Sequence, residues 1–299
     1  MSSLDNFLYI QAGLGVLANM FLLFFYTSII LRDRPKPMDL ISCQLTFIHI
    51  MMILTEGNRL LPNILDSLKF ENDFKCKTTF YINRVMRGLS VCITCLLGVF
   101  QAVTISPSTS LLAKFKGKVK TNIIYAFLYL WSFNLSFSSR WIFYVAGFSN
   151  VSENHQMRVT KSCSLFPMNY IIRGLTLIVT MSRDVFLIGV MLTTSVYVVI
   201  ILYRHQRQCK HLHSISHLRA SPEKRATQTV LLLVIFFVVI YWVDFIISFT
   251  SILLWMYDPV VLRVQKFVMC AYPTITPLVQ INSDKRVISV LKNLHSKCH

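Results

Sequence analysis

Two stretches carry charge where a chain this apolar has little reason to carry it. The first is CKTTFYINRVMRGLSVCITCLLGVFQAVTISP, residues 76–107, in which Asn83, Arg84 and Arg87 precede a run with almost no further charge. The second is YWVDF, which sets Asp244 just after Tyr241 and Trp242. Both lie in windows long and apolar enough to cross a bilayer, and charge at that depth is costly enough that it faces a cavity or a partner. At 1.5 Å of rise per residue, Arg87 lies ~16 Å below Cys76, and Asp244 lies ~16 Å below the nearer end of its own span. Opposite charges at one depth on two helices admit two chemistries. One is an ion pair that ties the helices together. The other is an arginine presented to an acceptor on a bound molecule, with the aspartate as its resting counter-charge. Hydrolytic metal chemistry would need several His, Asp or Glu ligands converging within the spans, which offer chiefly His49 and Asp244. No metal or cofactor is expected.

The elements that must position these residues follow from composition. Of 299 residues, 54% are apolar and 14% charged, against about 25% charged in soluble domains. The chain reads as an integral membrane protein. Windows of about 20 apolar residues give spans at about 8–31, 39–61, 77–105, 121–143, 184–203, 227–255 and 260–281. The expected fold is all-α: a seven-transmembrane helix bundle forming a single domain over residues 1–299. Residues 170–181 are apolar but too short to span, and Arg183 and Asp184 cut them from the fifth window. They read as an outer extension or lid of span five.

Orientation follows from basic residues in short loops. Arg32, Arg34 and Lys36 follow span one; Lys114, Lys116, Lys118 and Lys120 follow span three; Arg204, Arg207, Lys210, Arg219, Lys224 and Arg225 follow span five. Residues 62–75 hold two basic and three acidic side chains. The basic side is taken as cytoplasmic, which places the N-terminus outside and the C-terminus inside, with span one as an uncleaved signal anchor. The net charge of +17 then reflects this bias and attraction to anionic membrane lipid, and no nucleic-acid partner is expected.

Within span one, Gly13, Gly15 and Ala18 allow a neighbouring helix to approach, and Asn19 offers an amide across the contact. Asp39 is placed to cap span two. His49 reads as a packed, hydrogen-bonded histidine, and Glu56 with Arg59 as a local i,i+3 pair. Cys76 and Cys163 are the two cysteines that fall on the outer, oxidising face, which predicts a disulfide between them. Cys92, Cys95 and Cys270 lie within spans and read as small apolar groups. Asn150, in the sequon NVS, is a glycan acceptor on the same outer loop. Ser221 and Pro222 read as the N-cap and first residue of a long span six. Pro273 and Pro277 are expected to kink span seven.

The wording is more specific than the span count. RPKPMDLI, RGLSVCITCLLGVFQAVTISP, SCSLFP, RDVFLIGVML, LYRHQRQ, ASPEKRATQTVLLL and PLVQINSDKRV resemble the vomeronasal type 1 receptors, a rhodopsin-like G-protein-coupled family, from end to end of the chain. Bitter taste receptors are the related alternative; a membrane transporter or channel is the reading from another class. The resemblance implies a plasma-membrane chemosensory receptor for a small-molecule ligand, coupled to an inhibitory-type heterotrimeric G protein. It also implies a ligand site in the outer half of the bundle, here placed at Asn83, Arg84, Arg87, Tyr241, Trp242 and Asp244. A G-protein contact is placed at Lys114, Lys116, Lys118, Lys120, Arg204, Arg207 and Arg225. FQAVTISP ends span three without DRY, YWVD stands near the expected CWxP, and TPLVQ replaces NPxxY, so the usual activation motifs of rhodopsin-like receptors do not carry over.

Overall fold

The structure is a computed structural model describing residues 3–32, 36–56, 72–107, 117, 122–147, 157–158, 163–165, 169–212, 235–247, 249–250, 259–284 and 286–289. Its helices are α1 (Ser3–Arg32), α2 (Pro37–Glu56), α3 (Asn72–Ile105), α4 (Ile123–Ser138), α5 (Tyr170–Leu212), α6 (Ile235–Ile247) and α7 (Pro259–Ser283). Among the described residues, four stretches are helical, long and apolar enough to cross a membrane: Asn6–Arg32, Pro37–Glu56, Asp73–Ile105 and Tyr170–Ile201. A 3-10 helix, Ser139–Phe143, continues from α4 into β1 (Val145–Gly147). With β2 (Met157–Arg158) and β3 (Cys163–Leu165), β1 forms an antiparallel sheet of order β1-β3-β2, in which Gly147 stands opposite Cys163.

Helix α3 is the hub: α2, α4, α5, the 3-10 helix and β1 all pack on it, while α1 packs on α2 and α7. One apolar core fills the space between α2, α3 and α4, with Leu45, Ile48, Met52, Leu89, Ile93 and Phe127. A second joins α3, α5, α6 and α7 through Val91, Met191, Phe237, Tyr241 and Tyr272.

Residues Tyr170 to Leu212 form one uninterrupted helix of 43 residues. Arg183 and Asp184 therefore do not cut an outer extension from span five, because they neutralise each other along the helix surface at 2.7 Å and leave its backbone bonds intact. Helix α7 likewise runs through Pro273 and Pro277. Pro277 has no N–H to give the carbonyl of Pro273, one turn earlier. Asn19 Nδ2 supplies the missing donor from α1, at 2.8 Å from that oxygen and 2.7 Å from the Gly15 carbonyl. The span-one amide expected to cross a helix contact thus repairs the backbone of α7. Gly15 permits the approach: a Cβ there would lie 2.7 Å from Thr274 Oγ1 and 2.8 Å from Ile53 Cδ1. Gly13 faces open space instead and closes no contact.

At the far end of α1, Val287, in the helical turn at residues 286–289, packs with Leu22, Phe25 and Tyr26. Helix α2 begins at Pro37, so Asp39 lies within its first turn and is not the N-cap residue expected; it reaches back to accept from the Lys36 N–H at 3.4 Å and pairs with Arg286 at 2.9 Å, which makes it a tether as well. Arg286 pairs with Asp284 at 3.0 Å.

Gly15→Ala should destabilise the protein by roughly 1–3 kcal/mol through overpacking, whereas Gly13→Ala should be neutral or stabilising; thermal unfolding in detergent compares them, and equal effects would remove the close-approach argument. Asn19→Leu should cost about 1–3 kcal/mol by orphaning the Pro273 carbonyl, and a melting temperature equal to wild type would show that carbonyl to be satisfied otherwise.

Candidate functional site

Arg87 on α3 and Asp244 on α6 form an ion pair, with side chains 15% and 3% exposed. The second carboxylate oxygen is also engaged: Gln265 Nε2, from α7, donates to Asp244 Oδ1 at 3.0 Å. Tyr241, one turn before Asp244, donates its hydroxyl to the backbone carbonyl of Arg87 at 3.2 Å. Three helices are joined at one point by groups that would each be expensive to bury alone.

An aromatic floor lies beneath. Phe237 packs against Tyr241 at 4.2 Å between centroids and edge-to-face against Tyr272 at 4.5 Å. The Tyr272 hydroxyl lies 3.3 Å from Thr94 Oγ1, and the His49 ring meets Tyr272 edge-to-face at 5.1 Å. His49 is packed as expected, but its Nε2 has no hydrogen-bond partner among the described residues. Cys92, Cys95 and Cys270 are buried free thiols, in keeping with their reading as small apolar groups.

The other expected site residues part company. Arg84 lies under the rings of Phe80 and Trp141, at 5.0 and 4.9 Å from their centroids, and no carboxylate pairs with it among the described residues. Asn83 turns to α2, donating to Thr55 Oγ1 at 3.1 Å and Glu56 Oε1 at 3.0 Å. Glu56 thus has an α2–α3 contact, and Arg59, its expected partner, lies outside the described residues. Trp242 stands apart from these contacts: it is 53% exposed, with its ring tilted against that of Phe245 at 6.1 Å between centroids. At about 100° of rotation per residue, Tyr241 and Asp244 lie about 60° apart, and Trp242 is carried away from both.

Cys76 is buried and disulfide-bonded; Cys163 opens β3, and its side chain is outside the described set. Arg204 and Arg207 are exposed near the far end of α5. Asn150, Lys114, Lys116, Lys118, Lys120 and Arg225 lie outside the described residues, as do Ser221 and Pro222.

Sequence reasoning missed Gln265 and the two rings that hold Arg84. Gln265 carried little signal, because Arg263 and Lys266 flank it and mark that end of the last span as polar. Phe80 and Trp141 carried none, being two aromatics among many. Taken together, the arrangement offers guanidinium, amide and phenol groups on an aromatic base, a set suited to recognising a polar group on an apolar molecule.

The sequence profile of the vomeronasal organ pheromone receptor family matches residues 2–293. The chain is 40% identical over 286 residues to vomeronasal type-1 receptor 90 of Rattus norvegicus, covering 95% of this chain and 92% of that receptor. It is 36% identical to vomeronasal type-1 receptor 48 of Mus musculus, over 97% of this chain and 96% of that one. In three dimensions it resembles squid rhodopsin with a TM-score of 0.72 at 15% identity, covering 99% of this chain and 85% of rhodopsin, a likeness of fold. These relationships favour the vomeronasal reading over the bitter-taste and transporter alternatives. The chain belongs to the vomeronasal organ pheromone receptor family, and it is a multi-pass chemosensory receptor of the plasma membrane in the rhodopsin-like class, not an enzyme.

Proposed function

We propose that this receptor binds a small molecule in the outer half of a seven-span bundle, with its N-terminus outside, and responds by activating an inhibitory-type heterotrimeric G protein. The observation that carries the reading is the buried Arg87–Asp244 pair, held by Gln265 and Tyr241 where α3, α6 and α7 meet. In the empty receptor the pair satisfies both charges. A ligand bearing a hydrogen-bond acceptor competes for Arg87, with Arg84 one turn away along the helix and free of any carboxylate partner among the described residues. Losing Arg87 loosens Asp244, and α6 shifts against α3. Only a ligand that binds the loosened arrangement more tightly moves the equilibrium.

Support for a covered ligand site comes from β1 packing on α3 and from β3, headed by Cys163, paired to β1. We assign Cys163 as the disulfide partner of Cys76, and Asn150 as a glycan acceptor on the outer loop. The single domain of residues 1–299 is read from the family profile running through almost all of it. On the inner side, the exposed Arg204 and Arg207, with Lys114, Lys116, Lys118, Lys120 and Arg225, would meet an acidic helical partner, sharing anionic lipid as a second neighbour.

Variants of the ion pair and of the inner arginines test the reading. Asp244→Asn should raise ligand-independent nucleotide exchange on purified G protein, while Arg87→Ala should abolish responses to acceptor-bearing ligands. The double swap Arg87→Asp with Asp244→Arg should recover the surface expression lost by either single reversal, and each single reversal should cost roughly 3–5 kcal/mol of stability; identical signalling by wild type and the two single variants would sink the mechanism. Arg204→Gln with Arg207→Gln should lower nucleotide exchange severalfold without changing ligand affinity measured in the absence of G protein, and unaltered exchange would leave lipid contact as the role of these arginines.

A further inference from the structure

Ser106 follows the last residue of α3, precedes Pro107 and is buried. A residue before proline is driven out of the helical region, which is why the helix stops there. Ser106 still closes the final turn: its N–H reaches the Ala102 carbonyl at 3.2 Å, and its hydroxyl donates to the same oxygen at 2.7 Å. A serine hydroxyl has one proton, and this one is already directed to Ala102. The Tyr197 hydroxyl, from α5, stands 2.9 Å from Ser106 Oγ. Tyr197 is therefore the donor of that bond and Ser106 its acceptor.

The two helices already lie against each other before this point. A Cβ at Gly98 would come within 3.2 Å of Thr194 Oγ1. The Thr194 hydroxyl is turned to its own helix, at 2.9 Å from the Val190 carbonyl and 3.0 Å from that of Met191, so this contact is packing alone. Gly98 precedes Ser106 as Thr194 precedes Tyr197, which makes α3 and α5 parallel along this seam. Residues 100–107, FQAVTISP, hold no ionisable side chain, so the end of α3 is held to α5 by a neutral bond and not by an ion pair. Arg204 lies seven residues beyond Tyr197, about 20° away around α5 at about 100° per residue, and it is exposed. The stripe of α5 that meets the end of α3 at Tyr197 thus continues to Arg204.

We propose that the Ser106–Tyr197 hydrogen bond is the positioning contact of the inner coupling surface, fixing the rotation of α5 against the end of α3 and so the direction in which Arg204 is offered to an acidic helical partner. A membrane helix is apolar toward lipid and neighbour alike, so packing by itself sets its rotation weakly, and a directional bond sets it well. The bond stands two turns before Arg204, close enough for the helix to carry its rotation to the guanidinium. The inference rests on the reading of Arg204 as a G-protein contact; Tyr197 and Ser106 act through that residue and touch no partner themselves.

The test uses full-length receptor in detergent and purified inhibitory-type G protein, with no ligand added. Tyr197→Phe removes one oxygen and keeps the ring. It should lower receptor-catalysed nucleotide exchange by about threefold to tenfold, the range that one neutral hydrogen bond spans. Ser106→Ala should do the same, the double variant should be no worse than either single one, and Ser106→Thr, which keeps the hydroxyl, should stay near wild type. Arg204→Gln should lose less in the Tyr197→Phe background than in the wild-type one, a coupling that a purely structural role of Tyr197 would not produce. Amide hydrogen–deuterium exchange at residues 102–106 should quicken in Tyr197→Phe and not in Ser106→Thr. Wild-type nucleotide exchange in Tyr197→Phe, additive losses in the double variant, or an undiminished effect of Arg204→Gln would overturn the proposal. If wild type drives no nucleotide exchange at all, the G-protein reading fails by itself; quickened deuterium exchange in Tyr197→Phe then upholds the α3–α5 contact, and unchanged deuterium exchange overturns it.

Discussion

The Arg87–Asp244 pair is the constraint around which the rest of the molecule is arranged. Neither charge is tolerable alone at membrane depth, because removing an ion from water without a partner costs far more than a few van der Waals contacts return. Pairing them fixes the distance between α3 and α6. The amide of Gln265 fills the remaining carboxylate oxygen and brings α7 to the same point. Three helices thus meet at one polar centre inside an apolar medium, where helix association lacks the hydrophobic drive that water supplies. Such a centre can be highly specific while remaining exchangeable, since any group that satisfies Arg87 better than Asp244 does releases the contact.

Around this centre the bundle satisfies its polar groups by reaching between helices. Pro277 leaves the Pro273 carbonyl without its usual donor, and Asn19 of α1 supplies one. Tyr272, one residue before Pro273, carries its hydroxyl to Thr94 on α3 and its ring to His49 on α2 and Phe237 on α6. The polar and aromatic contacts therefore run continuously from the ion pair through Tyr241, Phe237 and Tyr272 toward the middle of the bundle. This connected set stands in a chain whose third, sixth and seventh spans lack DRY, CWxP and NPxxY. A shift of α6 at Asp244 has packed side chains through which to act on α2 and α7, and it does not need a proline hinge in α6 to do so.

The arginines near the sheet end of the bundle show how aromatic rings substitute for carboxylates. Arg84 lies against Phe80 and Trp141, and Arg140 and Arg183 against Phe137. A ring face lowers the cost of a cation without consuming its hydrogen-bond donors. Arg183 adds a salt bridge to Asp184 and Arg140 a hydrogen bond to Thr180, whereas Arg84 has no carboxylate partner among the described residues.

What the sequence by itself determined was membrane residence, the position of most apolar helices and the equal depth of Arg87 and Asp244. Each of these depends on quantities that run along the chain: the length of an apolar stretch and the rise per residue. Rotation about each helix axis was decided only by tertiary structure. In water an amphipathic stripe reveals which face is buried, but a membrane helix is apolar toward lipid as well as toward its neighbours. Tyr241 and Trp242 are therefore equivalent on paper, and only packing turns Tyr241 inward to Arg87 and leaves Trp242 exposed. The same blindness hid Phe80, Trp141 and Gln265, and it gave no sign that Asn83, grouped with the arginines as a candidate ligand-site residue, hydrogen-bonds to Thr55 and Glu56 of α2. Continuity of α5 through Arg183 and Asp184 was likewise a tertiary matter, since adjacent opposite charges look like a break in an apolar run until they are seen to neutralise each other.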